Sequence, residues 1–198
     1  MKKRKIAIDV DDVLLDFSPS LWNYYNQIYG TSLGPDDCIY YDLEKVWGGT
    51  KERAIEIVSD FYKTEQFRRI RPTEGAQQAV KVLSARKELR VVTSRPSFIE
   101  DITREALREH FGEAFTDVFF NGQYGTHSSG LDKSGYCLKN GIFVILEDNV
   151  DIAEKCARKG IRAFLFDKKW NQRDRLPLNL KRVGIGQNPW EEVLRQLK

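Results

Sequence analysis

One stretch constrains the fold more than any other: Lys5-Ile6-Ala7-Ile8-Asp9-Val10-Asp11-Asp12-Val13-Leu14-Leu15-Asp16-Phe17, an apolar run that closes on three carboxylates within four positions. A run of Ile, Ala and Val with no polar alternation reads as a strand buried on both faces, as in parallel sheets. In such sheets ligands gather at the carboxyl ends of the strands. Residues two apart on an extended strand share a face, so Asp9 and Asp11 are expected to converge. Two carboxylates that close repel unless a cation or a shared proton relieves them. A solvated acidic loop is the plainer alternative, and the rest of the chain decides between the two.

The same pattern recurs. Ile142-Phe143-Val144-Ile145-Leu146 runs into Glu147-Asp148, and further apolar strands are predicted at Leu89–Ser94, Val118–Phe120, Ala163–Phe166 and near Val183. Helical signals lie between them. Ser18-Pro19 reads as a cap and first-turn proline for a helix stopping at Gly30, and Thr50 opens a helix with Ile57, Val58, Phe61 and Tyr62 on one face. Thr73 reads as the cap of a helix carrying Ala76, Ala79, Val80 and Leu83, and Ser97 with Glu100 as a capping box for a helix to Phe111. A Gly-rich segment, Asn121 to Gly130, precedes a helix from Asp132-Lys133 to Gly141. Another helix follows Asn149, and Asn188-Pro189 opens a terminal one with Trp190, Val193 and Leu194. Strands alternating with helices predict an α/β fold, a Rossmann-like parallel sheet with helices on both faces. Residues 18–71 hold no buried strand. They are expected to form a small helical cap inserted after the first strand, with 1–17 and 72–198 as the core domain.

Several functions are excluded by what the chain lacks. Its net charge is only +3, and Lys and Arg are scattered, so no basic stripe for duplex nucleic acid is present. No apolar run approaches the ~20 residues of a membrane span. Met1-Lys2-Lys3-Arg4-Lys5 leads straight into a strand rather than a signal-peptide core, so a cytoplasmic protein is expected. Cys38, Cys137 and Cys156 lack metal-site spacing, and His110 and His127 are the only histidines, which disfavours soft-metal clusters and a Ser-His-Asp hydrolase. What remains at the strand ends is hard oxygen and one cation: Asp9, Asp11, Thr93, Ser94, Lys133, Glu147 and Asp148. That set suits magnesium and a phosphate group.

These residues resemble the four motifs of the haloacid dehalogenase superfamily, in order: Asp9-Val10-Asp11-Asp12-Val13, Thr93-Ser94, Lys133 and Glu147-Asp148. Within it the chain is most similar to the 5'(3')-deoxyribonucleotidases. The points of likeness are Val13–Phe17, the passage from Phe67 through Arg71-Pro72-Thr73-Glu74-Gly75-Ala76, Thr93-Ser94 and Trp190. Two departures stand out: Asp12 where that family carries glycine, and Arg95-Pro96 in place of a plainer Ser-Pro.

The resemblance implies a magnesium-dependent phosphomonoester hydrolase acting on a small phosphorylated substrate, a nucleoside monophosphate before others. It implies Asp9 as nucleophile, Asp11 as acid and base, and Thr93, the Ser94 amide and Lys133 as phosphate holders. Mg2+ would be held by Asp9, Asp148, the Asp11 carbonyl and Glu147, the last directly or through an intermediary. Phe17 is expected against the base, with Trp47, Tyr40 and Tyr41 as further stacking candidates and Arg95 at phosphate or ribose. Two rivals stay open: a sugar phosphate or other small phosphomonoester as substrate, and a non-catalytic phosphate-binding module. The sequence leaves oligomeric state open.

Overall fold

The computed structural model describes residues 3–122 and 131–197. Most of the Gly-rich segment, with His127, therefore lies outside the described residues. Strands β1 (Lys5–Ile8), β2 (Glu88–Thr93), β3 (Phe115–Phe120), β4 (Ile142–Glu147), β5 (Arg162–Phe166) and β6 (Leu180–Val183) form one sheet in the order β3-β2-β1-β4-β5-β6. Every neighbouring pair is parallel. This is the doubly wound order, which reverses direction beside β1, so the β1 and β4 ends flank the crevice.

Alternation along each strand feeds two cores. Ile6, Ile8, Val91, Val144 and Leu146 pack on one face with α5 (Ala76–Arg86) and α9 (Pro189–Gln196). Ala7, Val92, Ile145, Ala163 and Leu165 pack on the other with α7 (Lys133–Lys139) and α8 (Val150–Arg158). Both faces are thus dry, which accounts for the unbroken apolar runs. The remaining core helix, α6 (Glu100–Phe111), meets β3: Arg104 Nη2 donates to the Val118 carbonyl (3.2 Å), and Phe111 meets Phe115 edge to face.

The segment between β1 and β2 is helical, as its composition predicts: α1 (Phe17–Tyr29), α2 (Leu43–Trp47), α3 (Lys51–Phe61) and α4 (Glu65–Arg68). Its entry and exit are tied together. The Asp16 amide donates to the Arg71 carbonyl (2.9 Å), the Thr73 amide to that of Leu14 (3.0 Å), and Leu15 forms an antiparallel bridge with Pro72. No helix among the described residues is long and apolar enough to cross a membrane.

Three expected caps are used differently, two because the side chain finds a partner elsewhere and one because the backbone turns as a 3-10 helix. Helix α1 starts at Phe17, and the Ser18 amide (2.9 Å) and hydroxyl both donate to the Asp12 carboxylate. Asp12 thereby satisfies a first-turn amide from outside the helix. Thr73 donates its hydroxyl to the Val13 carbonyl (2.6 Å) and accepts from the Trp190 indole (3.0 Å), while α5 begins after Gly75 in the left-handed region. Ser97 opens a 3-10 turn, and Glu100 pairs instead with Arg104 (2.7 Å).

Candidate active site

The carboxyl ends of β1, β2 and β4, together with the start of α7, meet at one point. Lys133 is its hub. Its ammonium group lies 2.8 Å from Asp9 Oδ1 and 3.0 Å from Glu147 Oε2, and the residue is 1% exposed. Burial alone would lower the lysine's pKa, but the Asp9 and Glu147 carboxylates more than offset this and hold it protonated. Asp132 fixes the start of α7 by accepting the Gly135 amide (2.7 Å), so the lysine enters the site from a capped helix end.

Three buried acids share that one lysine. Ligand oxygens of Asp9, Glu147 and Asp148 all lie within 4.8 Å of one another. Burial, then the Glu147 charge, raises Asp9 well above the carboxylate range, with Lys133 opposing. Burial pushes Glu147 up to about 7, with Lys133 pulling down and Asp148 pushing up. Asp148 reaches about 8 through burial and the charges of Asp12 and Asp9. Crowding and burial make these carboxylates costly to ionise, and the ammonium groups of Lys133 and Lys168 offset this only in part. A hard divalent cation fits that donor set, since magnesium takes oxygen ligands and works with one or two carboxylates plus substrate.

Asp148 is itself held in place. Its Oδ2 accepts the Trp170 indole N–H (3.0 Å), and its carbonyl accepts Asn171 Nδ2 (2.7 Å), which also donates to Phe166 (2.8 Å). Glu147 Oε1 accepts the Asn149 amide (3.2 Å), closing the turn into α8. Trp170 and Asn171 were not expected from the sequence. The only signal they give is a polar, aromatic stretch just past the end of β5, the next strand along the same rim.

A cavity of about 210 Å³ opens over this point. Asp9, Asp11, Ser94, Arg95 and Asp148 line it from the sheet, and Phe17, Ile55, Val58 and Tyr62 from the helical insertion. Ser94 Oγ is buried and meets no hydrogen-bond partner among the described residues, a vacancy that an oxygen-rich ligand would fill. Tyr41 and Tyr40 also line the cavity. Burial of the hydroxyl end raises the Tyr41 phenol well above its ordinary value, with Asp148 adding to this and Lys133 opposing, although the residue as a whole is 43% exposed.

Three expected site residues are placed otherwise. Thr93 is fully buried, and its hydroxyl accepts the Arg95 amide (3.1 Å) rather than lining the cavity. Trp47 lies outside the lining too; its ring stacks on Tyr25 at 4.5 Å and 7°, because the short α2 lays it flat on α1. Arg95 does line the cavity, but its guanidinium is paired with Asp11, Nη2 donating to Oδ1 at 2.7 Å. Asp12 adopts φ +60°, the left-handed region that glycine enters freely and Asp tolerates. That geometry accounts for glycine being the usual residue at the matching position.

Comparison with known proteins bears on the same rim. The sequence profile of the family described as "5' nucleotidase, deoxy (Pyrimidine), cytosolic type C protein" matches residues 3–120, from β1 through the insertion to the end of β3. A Halalkalibacterium halodurans protein named "Putative nucleotidase BH1399" is 25% identical over 193 residues, covering 97% of this chain and 91% of its own. A haloacid dehalogenase-like hydrolase from Streptococcus pneumoniae superposes with a TM-score of 0.70 at 14% identity, over 99% of both chains. The Bacillus subtilis protein YfnB, in a crystal form bound to magnesium, gives 0.63 at 17% identity over 100% of both. At such identities the two structures speak for the fold.

Proposed function

Because the chain belongs to the cytosolic type C 5' nucleotidase family and is thus a hydrolase of the haloacid dehalogenase type, we propose that it hydrolyses a nucleoside monophosphate through a phosphoaspartate on Asp9. The observation that carries this reading is the Asp9–Lys133 contact of 2.8 Å, in which Asp9 lines the cavity and Lys133 lies buried behind it, with Glu147 and Asp148 alongside. A carboxylate whose oxygen sits against a fixed ammonium is oriented for in-line attack on a phosphoryl group, and the lysine then faces the charge that shifts in transfer.

Asp9 would form the new phosphorus–oxygen bond as the ester bond breaks. The departing oxygen takes a proton from Asp11, and water later attacks the acyl phosphate, giving a proton back to Asp11. Ser94, with its unmet hydroxyl, is suited to bind a phosphate oxygen. Asp9, Asp148 and Glu147 would hold magnesium, whose charge when bound neutralises phosphate and carboxylates together.

Residues 18–71 serve in this reading as the cap that selects substrate. Phe17 sits in the cavity wall with Tyr62, 6.2 Å away, and Phe61, 5.7 Å away, behind it. A base stacked on such a ring gains roughly 1–3 kcal/mol. The test is phosphate release from a panel of nucleotides, sugar phosphates and an aryl phosphate, with and without magnesium, by wild type and Asp9→Asn. Nucleotide turnover that needs magnesium and vanishes with Asp9→Asn is expected. Preference for sugar phosphates would transfer the substrate assignment, and activity surviving Asp9→Asn would end the covalent mechanism.

A further inference from the structure

Arg95 is where this chain departs from the Ser-Pro continuation of the deoxyribonucleotidases that its sequence resembles. The structure gives the departure a partner. Its guanidinium reaches back from the end of β2 to the loop after β1: Nη2 lies 2.7 Å and Nε 3.0 Å from Asp11 Oδ1, while Oδ2 has only a shared contact with Nε at 3.2 Å. The remaining arm donates to Thr103 Oγ1 (3.1 Å), and that hydroxyl in turn donates to the Ile99 carbonyl (2.8 Å). The guanidinium carbon lies 4.9 Å from the centre of the Phe67 ring. Arg95 is 2% exposed, whereas the Asp11 side chain keeps 26% exposure toward the cavity.

The arrangement is asymmetric in a way that matters. A guanidinium fixed at one end by Thr103, covered by an aromatic face and paired at the other end cannot swing to a substrate without breaking a buried ion pair. It grips Oδ1 with two donors and reaches Oδ2 only through the longer, shared Nε contact, on a side chain that lines the cavity. One oxygen is the firm anchor, and the other is the more loosely held and has room for a proton.

We propose that Arg95 is a positioning residue that orients Asp11 so that Oδ2 meets the ester oxygen of the substrate, rather than a residue that binds phosphate or sugar. This rests on the phosphatase reading above. In the first half-reaction the Asp9 oxygen bonds to phosphorus, the bonding pair of the phosphorus–ester bond passes to the ester oxygen, and that oxygen takes the proton from Oδ2. In the second, water bonds to phosphorus, the Asp9 oxygen recovers its electron pair, and the water proton returns to Oδ2. Arg95 exchanges no proton; it fixes which oxygen does.

Leaving-group chemistry separates this role from phosphate binding. An alkyl phosphomonoester departs as a basic alkoxide and needs the proton, whereas 4-nitrophenyl phosphate departs as a stable phenolate without it. Arg95→Met is expected to lower kcat/KM, which reports the first half-reaction alone, by about 30- to 100-fold on the alkyl ester the wild type turns over fastest, and by under about 3-fold on 4-nitrophenyl phosphate. In an Asp11→Asn background the same change should add under about 3-fold, since a group acting through Asp11 has nothing left to orient. Arg95→Lys keeps the charge and the stem over Phe67 but not the planar fork. It guards against misfolding of the Met variant and should show the same selectivity at about tenfold. Equal losses of kcat/KM on both esters, an undiminished effect in Asp11→Asn, or Arg95→Lys equal to wild type would each overturn the role of Arg95 while leaving the phosphatase standing. A wild type inert toward both esters would overturn the phosphatase reading and this role with it.

Discussion

The rim of the sheet and the helical insertion bury their side chains by opposite means. At the rim, Asp9, Lys133, Glu147 and Asp148 are all at most 6% exposed, and charges are held against charges at about 3 Å. In the insertion, Phe17, Phe61, Tyr62 and Phe67 meet edge to face or tilted, with centroids 4.9 to 6.2 Å apart. Removing one charge at the rim strands its partners in a dry site, whereas removing one ring leaves a gap its neighbours partly fill. The rim is therefore the region where exact atoms matter, and the insertion the region where shape matters.

That contrast is sharpest at Asp9. Asp9→Asn keeps volume and removes the proposed nucleophile, so phosphate release should fall by about a thousandfold or more with the fold intact by circular dichroism. A modest loss would show that the rim tolerates exchange as the insertion does. Next in size is Lys133→Met, which leaves Asp9 and Glu147 without their counter-charge. Denaturant unfolding should register a loss of about 3–5 kcal/mol near neutral pH. A loss under about 1 kcal/mol would mean that protonation alone can satisfy the acids.

The rim should also respond to pH and metal where the insertion does not. Asp148 titrates at about 8 in the folded chain against 3.8 ordinarily. Between those values the folded state keeps a proton that the unfolded state has released, so metal-free stability should fall as pH rises from about 4 to about 8. Added magnesium is expected to restore what is lost, raising Tm by about 5 °C or more at pH 8 and by under about 2 °C at pH 5.5. Equal shifts at both values would detach the metal from the acids.

Smaller effects belong to the insertion. Phe17→Ala should raise KM for nucleotides by about tenfold and that for 4-nitrophenyl phosphate by under about threefold, read from steady-state kinetics. Trp47→Phe, which keeps a ring on Tyr25 and touches no cavity wall, is expected to leave KM within about twofold. A large KM effect there would move the substrate toward α2.

Two strand ends, Ile8-Asp9 and Leu146-Glu147-Asp148, were legible in the chain because burial on both faces forbids polar residues until the strand stops. The first carboxylate after an apolar run must then sit at the sheet's edge. The alternation of strands with helices and the strandless segment after β1 were legible for the same reason: local period and punctuation carry them. Cap chemistry was not. Ser18, Thr73 and Ser97 have the right residue type, but Asp12, Val13 and a 3-10 turn claim them, and those competitors are decided by where the backbone goes.

The sequence by itself determined a parallel α/β sheet with acids, hydroxyls and a lysine at its strand ends, because those follow from periodicity and side-chain type. Only the tertiary structure decided which of them touch. Strand order set β1 between β2 and β4, and that placement pairs Arg95 with Asp11 across 84 residues, hangs Trp170 on Asp148, and turns Trp47 onto Tyr25. Pairings over such separations depend on the angles at which distant elements cross, a property of the packed molecule that no local stretch of chain encodes.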